Sequence, residues 1–160
     1  MSQFIKKFQN NSQYLTPDNA LEINVIDMHT GGEPLRVITD GYSKIDAESL
    51  LDFRRRLKAD YDHIRTAIMF EPRGHADMYG CLVLPPFNSQ ADCSVIFMHN
   101  EGYSTMCGHA VIGLMTLAVR MQWVDVVNSE AKMVIEAPCG LIYASAKVEG
   151  EDILASFECV

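Results

Sequence analysis

Residues 100–123 read NEGYSTMCGHAVIGLMTLAVRMQW, and the order of residue types in this stretch carries the first expectation about the fold. A polar approach containing Gly102 ends at Cys107-Gly108-His109 and passes directly into residues 110–119, which hold no charge and one hydroxyl, Thr116. Such a run predicts a helix apolar on every face, which other structure must enclose. It is too short to cross a bilayer. The loop therefore delivers a cysteine to the start of a buried helix, where unpaired N–H groups and the positive end of the macrodipole meet. A thiol held there is expected to ionise more easily than a free one, and a carboxylate would be welcome beside it.

The rest of the chain must build that enclosure. Residues 23–28 and 34–39 read as strands joined by His29-Thr30-Gly31-Gly32-Glu33, in which the glycine pair permits a tight turn. Asp46 is a plausible cap for a helix to about residue 60, with Leu50, Phe53, Leu57, Tyr61 and Ile64 spaced to share a buried face. Arg54, Arg55 and Arg56 then lie mostly in solvent, because consecutive helix positions point in different directions. Residues 67–70 read as a short strand before the polar loop Glu71-Pro72-Arg73-Gly74-His75-Ala76-Asp77-Met78. Residues 79–84, 93–98, 132–137, 141–148 and 153–158 read as further strands. The expected architecture is α+β: a mostly antiparallel, curved sheet wrapped around a central apolar helix.

With 160 residues the chain suits one domain with a real core. A formal net charge of −8 argues against nucleic-acid and anionic-membrane partners and leaves a small molecule as the natural ligand. The five cysteines, Cys81, Cys93, Cys107, Cys139 and Cys159, form an odd and sparse set that favours free thiols in a reducing, cytoplasmic setting. Residues 1–20 lack the apolar core of a signal peptide and read as a disordered lead-in, with a domain over 21–160.

Cys107 is the best candidate for reactive chemistry, because Gly108 lets a ligand approach the backbone and the helix dipole favours thiolate. Three roles stay open on residue types alone: a base, a nucleophile with His99, His75 or His29 beside it, or a buried core cysteine. Cys81 and Cys93, inside apolar strands, are simplest as core. His29, His75, His99 and His109 fall in loops or at element ends, yet no ligand pair has a recognised metal spacing, so no metal is expected.

Three strings, VIDMHTGGEPLRVI at 25–38, MFEPRGHADMYG at 69–80 and HNEGYSTMCGHAVI at 99–112, resemble the proline racemase family, and within it the trans-3-hydroxy-L-proline dehydratase branch. The resemblance implies a diaminopimelate-epimerase-like fold of two similar halves, each a curved sheet around a central helix, with the active site between the helix N-termini. Family members work without a cofactor. By the same resemblance Cys107 is the α-proton acceptor, and Gly108 and His109 bind the substrate.

In trans-3-hydroxy-L-proline the α-hydrogen and the hydroxyl share one ring face, so one base can start the elimination that yields pyrroline-2-carboxylate. Racemisation or epimerisation needs a second acid on the opposite face. The family needs about twice these residues, so the chain resembles an N-terminal half. That implies a truncated form with little activity of its own, a homodimer or pairing with a full-length copy to complete the cleft, or a half-domain that acts by binding.

Overall fold

Alternation along the C-terminal third shows most simply how this sequence becomes structure. Ala131, Met133, Ile135 and Ala137 are buried while Glu130 and Lys132 are exposed, and Ile142, Ala144 and Ala146 repeat the pattern in the next segment. A period of two can bury one face only of an extended chain. The computed structural model describes residues 5–6, 17–42 and 44–159, and most of the expected lead-in over 1–20 lies outside them. The elements are β1 (Asn24–Thr30), β2 (Glu33–Asp40), α1 (Leu50–Asp60), α2 (Asp62–Met69), β3 (Tyr79–Leu84), β4 (Cys93–His99), β5 (Gly102–Ser104), α3 (Gly108–Arg120), β6 (Glu130–Ala137), β7 (Gly140–Glu149) and β8 (Asp152–Cys159).

Among the described residues the strands form one eight-stranded sheet in the order β1-β2-β3-β4-β6-β7-β8, with β5 paired to β4. The β2–β3 and β4–β6 pairs are parallel and the others antiparallel. α3 packs against β1, β2 and β3 and also against β7 and β8. Strands from opposite ends of the sheet can reach one helix only if the sheet curls around it. The expected α+β fold with a mostly antiparallel curved sheet is what the chain adopts.

β4 shows why the middle of the sheet reads as a continuous apolar run. Val95 and Phe97 join the core under α3, whereas Ile96 and Met98 join a second core under α1 and α2. Successive side chains point to opposite faces, so a strand covered on both sides has no polar positions to spare. The sheet is thus the middle of three layers.

Several boundaries differ from the expectation. The cap of α1 is Ser49, whose hydroxyl accepts from the Asp52 N–H at 3.2 Å, and not Asp46. The helical segment breaks at Tyr61 and resumes as α2, so residues 67–69 are helix and not strand. Ile64, Arg65, Ile68 and Met69 make one buried face there, and four residues are too few to separate a helical period from an extended one. Arg54 turns inward, with Nη2 donating to the Tyr103 carbonyl at 2.5 Å, while Arg55 and Arg56 pair with Asp52 on the surface. β5 has only three residues and carries no periodicity to read.

The enclosure of α3 is also incomplete. Ala110, Val111, Gly113, Leu114, Met115, Leu117 and Ala118 are buried, but Ile112, Thr116 and Val119 form a half-buried stripe at helical spacing. Thr116 satisfies its hydroxyl internally, on the Ile112 carbonyl at 2.9 Å.

Candidate active site

Cys107 stands at the N-cap of α3 in extended backbone, with φ −149° and ψ 107°, and Gly108 begins the helix. The sharp entry turns the next residue but one, His109, back toward the sulfur. Cys107 Sγ lies 3.3 Å from His109 Nδ1, and His109 Nε2 lies 3.2 Å from the Pro34 carbonyl oxygen. A carbonyl can only accept, so the Nε2 contact is a hydrogen bond when Nε2 carries the proton. In the neutral ring that leaves the Nδ1 lone pair facing the thiol. The pair is therefore arranged for a proton to pass from sulfur to imidazole.

The electrostatics of the thiol run against the simple helix-terminus expectation. Burial is the largest influence and pushes the Cys107 thiol up; the N–H groups of Ala110 and His109 pull it down, and the Glu33 carboxylate raises it again. Cys107 is only 7% exposed, so lost hydration outweighs the backbone donors. The expected easy ionisation is not what this environment gives.

Two arginines shape the rim. Arg65 is buried, takes both carboxylate oxygens of Asp62, and donates through Nη1 to the carbonyls of His99 and Asn100 at 2.7 and 2.6 Å. Arg36 grips Asp27 in the same two-point way and donates to the carbonyls of Ile68 and Arg73 at 2.7 and 2.8 Å. Asn100 completes the brace, its amide donating to the Met69 and His75 carbonyls at 3.0 Å each. The polar loop after α2 and the β4–β5 turn are thereby locked together. They border a polar cavity of about 600 Å³ lined by Glu33, Pro34, His75, Asp77, Tyr79 and His99.

Tyr79 links that cavity to the thiol. Its ring stacks on His99 at 5.2 Å between centroids and meets His109 edge-on at 4.9 Å and 79°. Among the histidines considered as partners for Cys107, His29 Nδ1 accepts from Gly32 N–H and His99 Nδ1 from Glu101 N–H. Their basic nitrogens are already engaged. The imidazole on the sulfur is His109, which the residue types alone did not single out as a base; its signal was the two-residue step from Cys107 into a helix.

A second cavity, about 630 Å³, lies around the C-terminal half of α3 against Leu114, Trp123 and Met133. It includes Cys93, whose thiol burial pushes up to about 11, a value that leaves it unreactive at neutral pH. Cys81 is fully buried and pushed up further. Cys81 is a core thiol, and Cys93 packs half-buried against that core. No described helix is long and apolar enough to cross a membrane.

The curled mixed sheet around one helix is an α+β fold that solved structures of a hydroxyproline epimerase and a probable proline racemase share. The crystal structure of a hydroxyproline epimerase from Agrobacterium vitis, with trans-4-hydroxy-L-proline bound, matches it with a TM-score of 0.77 at 23% identity, over 84% of this chain and 40% of that one. The family model described as proline racemase matches residues 25–157. The chain belongs to the proline racemase family. It is 47% identical over 129 residues, 81% of its length, to a trans-3-hydroxy-L-proline dehydratase from Burkholderia cenocepacia. It is 46% identical over 129 residues to a 3-hydroxyproline 2-epimerase from Burkholderia multivorans. In both comparisons the match spans 38% of the relative's length.

Proposed function

We propose that residues 21–160 are the N-terminal half of a trans-3-hydroxy-L-proline dehydratase, with Cys107 as the base that removes the α-proton. The observation that carries this reading is the Cys107–His109 pair: a thiol at a helix N-terminus with a lone-pair nitrogen at 3.3 Å.

Chemistry follows from that geometry. The thiol proton passes to His109 Nδ1, and the thiolate takes the α-hydrogen, forming S–H as the C–H bond breaks. Gly108 and His109 bind the substrate at the helix terminus, whose positive end favours the carboxylate as charge builds there while the carbanion develops. The C3–O bond then breaks. The hydroxyl departs from the same ring face as the α-hydrogen, so the proton held on His109 is on the correct side to leave with it as water. Thiol and neutral imidazole are restored, and the enamine tautomerises to pyrroline-2-carboxylate.

Incubation in deuterated water with trans-3-hydroxy-L-proline, followed by NMR, tests the assignment. Pyrroline-2-carboxylate is expected from the enzyme completed by its second half, and Cys107→Ala is expected to lower its rate by about 100- to 10,000-fold. Full turnover by Cys107→Ala would sink the reading. The 160-residue chain alone is expected to turn over far more slowly than a full-length relative; a monomer matching one would remove the half-site interpretation.

A second reading, epimerisation at C2, is favoured by the similarity to the 3-hydroxyproline 2-epimerase. It predicts recovered substrate carrying deuterium at an inverted α-carbon. The opposing face decides between them: a thiol facing Cys107 across the substrate allows reprotonation there, and a hydroxyl residue does not.

A further inference from the structure

The β1–β2 turn approaches the same helix terminus from the side. Gly31 and Gly32 take φ of 61° and 100°, the left-handed conformation of a two-residue hairpin turn. This tight turn sets Thr30 directly across from Glu33, with Pro34 next in the strand. The two flanks then touch His109 at different points. Thr30 Oγ1 donates to the His109 backbone carbonyl at 2.9 Å, and the Pro34 carbonyl faces the ring at Nε2.

Gly113, one helical turn beyond His109, shows that this approach is built into the helix. A Cβ there would lie 2.7 Å from Leu35 Cδ2 and 3.2 Å from Thr30 Oγ1. Glycine in a helix interior is destabilising relative to alanine. Here it opens the groove in which the threonine hydroxyl sits.

We infer that Thr30 is a positioning residue for the Cys107–His109 pair: its hydroxyl holds the first turn of α3 against the hairpin, so that the Pro34 carbonyl can fix the imidazole with Nδ1 toward the sulfur. The inference rests on the reading of His109 as the proton acceptor for Cys107. Thr30 touches neither the thiol nor the ring. It acts through the His109 backbone.

The test is peptide-resolved iodoacetamide labelling of Cys107 in the 160-residue chain across a pH series. Thr30→Val keeps the shape and removes the donor; it is expected to slow labelling of Cys107 at neutral pH by about threefold to tenfold, the effect of one hydrogen bond of about 1 kcal/mol, and to displace the pH profile. Thr30→Ser is expected to restore both. Thr30→Ala is the second variant if valine disturbs folding, since it removes the same hydroxyl with a smaller side chain. An unchanged profile in a folded Thr30 variant, alongside a changed one in His109→Gln, overturns the positioning role and leaves the pair intact. An unchanged profile in His109→Gln overturns the pair itself, and the role of Thr30 falls with it. A lower melting temperature with an unchanged profile assigns Thr30 to the scaffold and counts against the inference.

Discussion

At the scale of single residues, Cys107 is governed by two opposed effects, and their order sets its pH behaviour. Burial favours the neutral thiol more than the helix N–H groups favour the thiolate. The thiol is therefore mainly protonated near neutrality, and its labelling by iodoacetamide is expected to keep rising with pH beyond the ordinary thiol value of about 8.5. A labelling profile already flat by about pH 7 would contradict that order. Arg65 ties α2 to the β4–β5 turn. Arg65→Met removes the donors to the His99 and Asn100 carbonyls and takes the ion-pair partner from Asp62. Because the Asp62 side chain is 37% exposed and water can take over there, a loss of about 2–3 kcal/mol is expected in urea unfolding rather than the full penalty of a stranded buried charge.

At the scale of elements, the contact between α3 and the β1–β2 hairpin decides where the reactive pair stands. Gly113→Ala would stabilise an isolated helix, yet here the added methyl meets Leu35, whose side chain is fully buried and has nowhere to go. A destabilisation of about 1–3 kcal/mol is expected, readable as a lower urea midpoint. Gly31→Ala tests the other partner. Space around its Cβ is open, so the cost there is conformational alone, about 1 kcal/mol for a side chain forced into positive φ. The two substitutions thus separate crowding from backbone strain within one contact.

At the scale of the whole molecule, buried thiols and phenols give the fold a common pH dependence. Burial raises Cys81, Cys93 and Cys107, and it raises Tyr42 and Tyr103 as well. A group whose value is raised on folding releases its proton more readily from the unfolded chain, so the stability it contributes is complete below the unfolded value. That stability is lost as pH climbs through the folded value. Urea unfolding is expected to show stability falling from about pH 8.5, the unfolded thiol value, toward the Cys93 value of about 11. A constant midpoint across that range would contradict the burial of these groups.

Much of this was legible from residue order. The charge-free run after His109 announced a largely buried helix, and the alternation in β6 and β7 announced strands with one buried face, because apolar periodicity is a local property of the chain. The candidate cysteine followed from its place at the start of that run. Other features had no local signal. Residues 67–69 belong to a helix because Ile64, Arg65 and Ile68 share its buried face, and α1 is capped by Ser49 because that hydroxyl reaches the Asp52 N–H. The partner of Cys107 among the histidines was likewise a tertiary decision, since Pro34, 75 positions away in the chain, orients the His109 ring. So was the raised thiol, because desolvation depends on what packs over the sulfur. Sequence alone determined which segment is buried and which residue stands at its end; only the tertiary structure decided which imidazole that residue meets and that burial raises its thiol, because hydration and hydrogen-bond geometry are set by groups far apart in the chain.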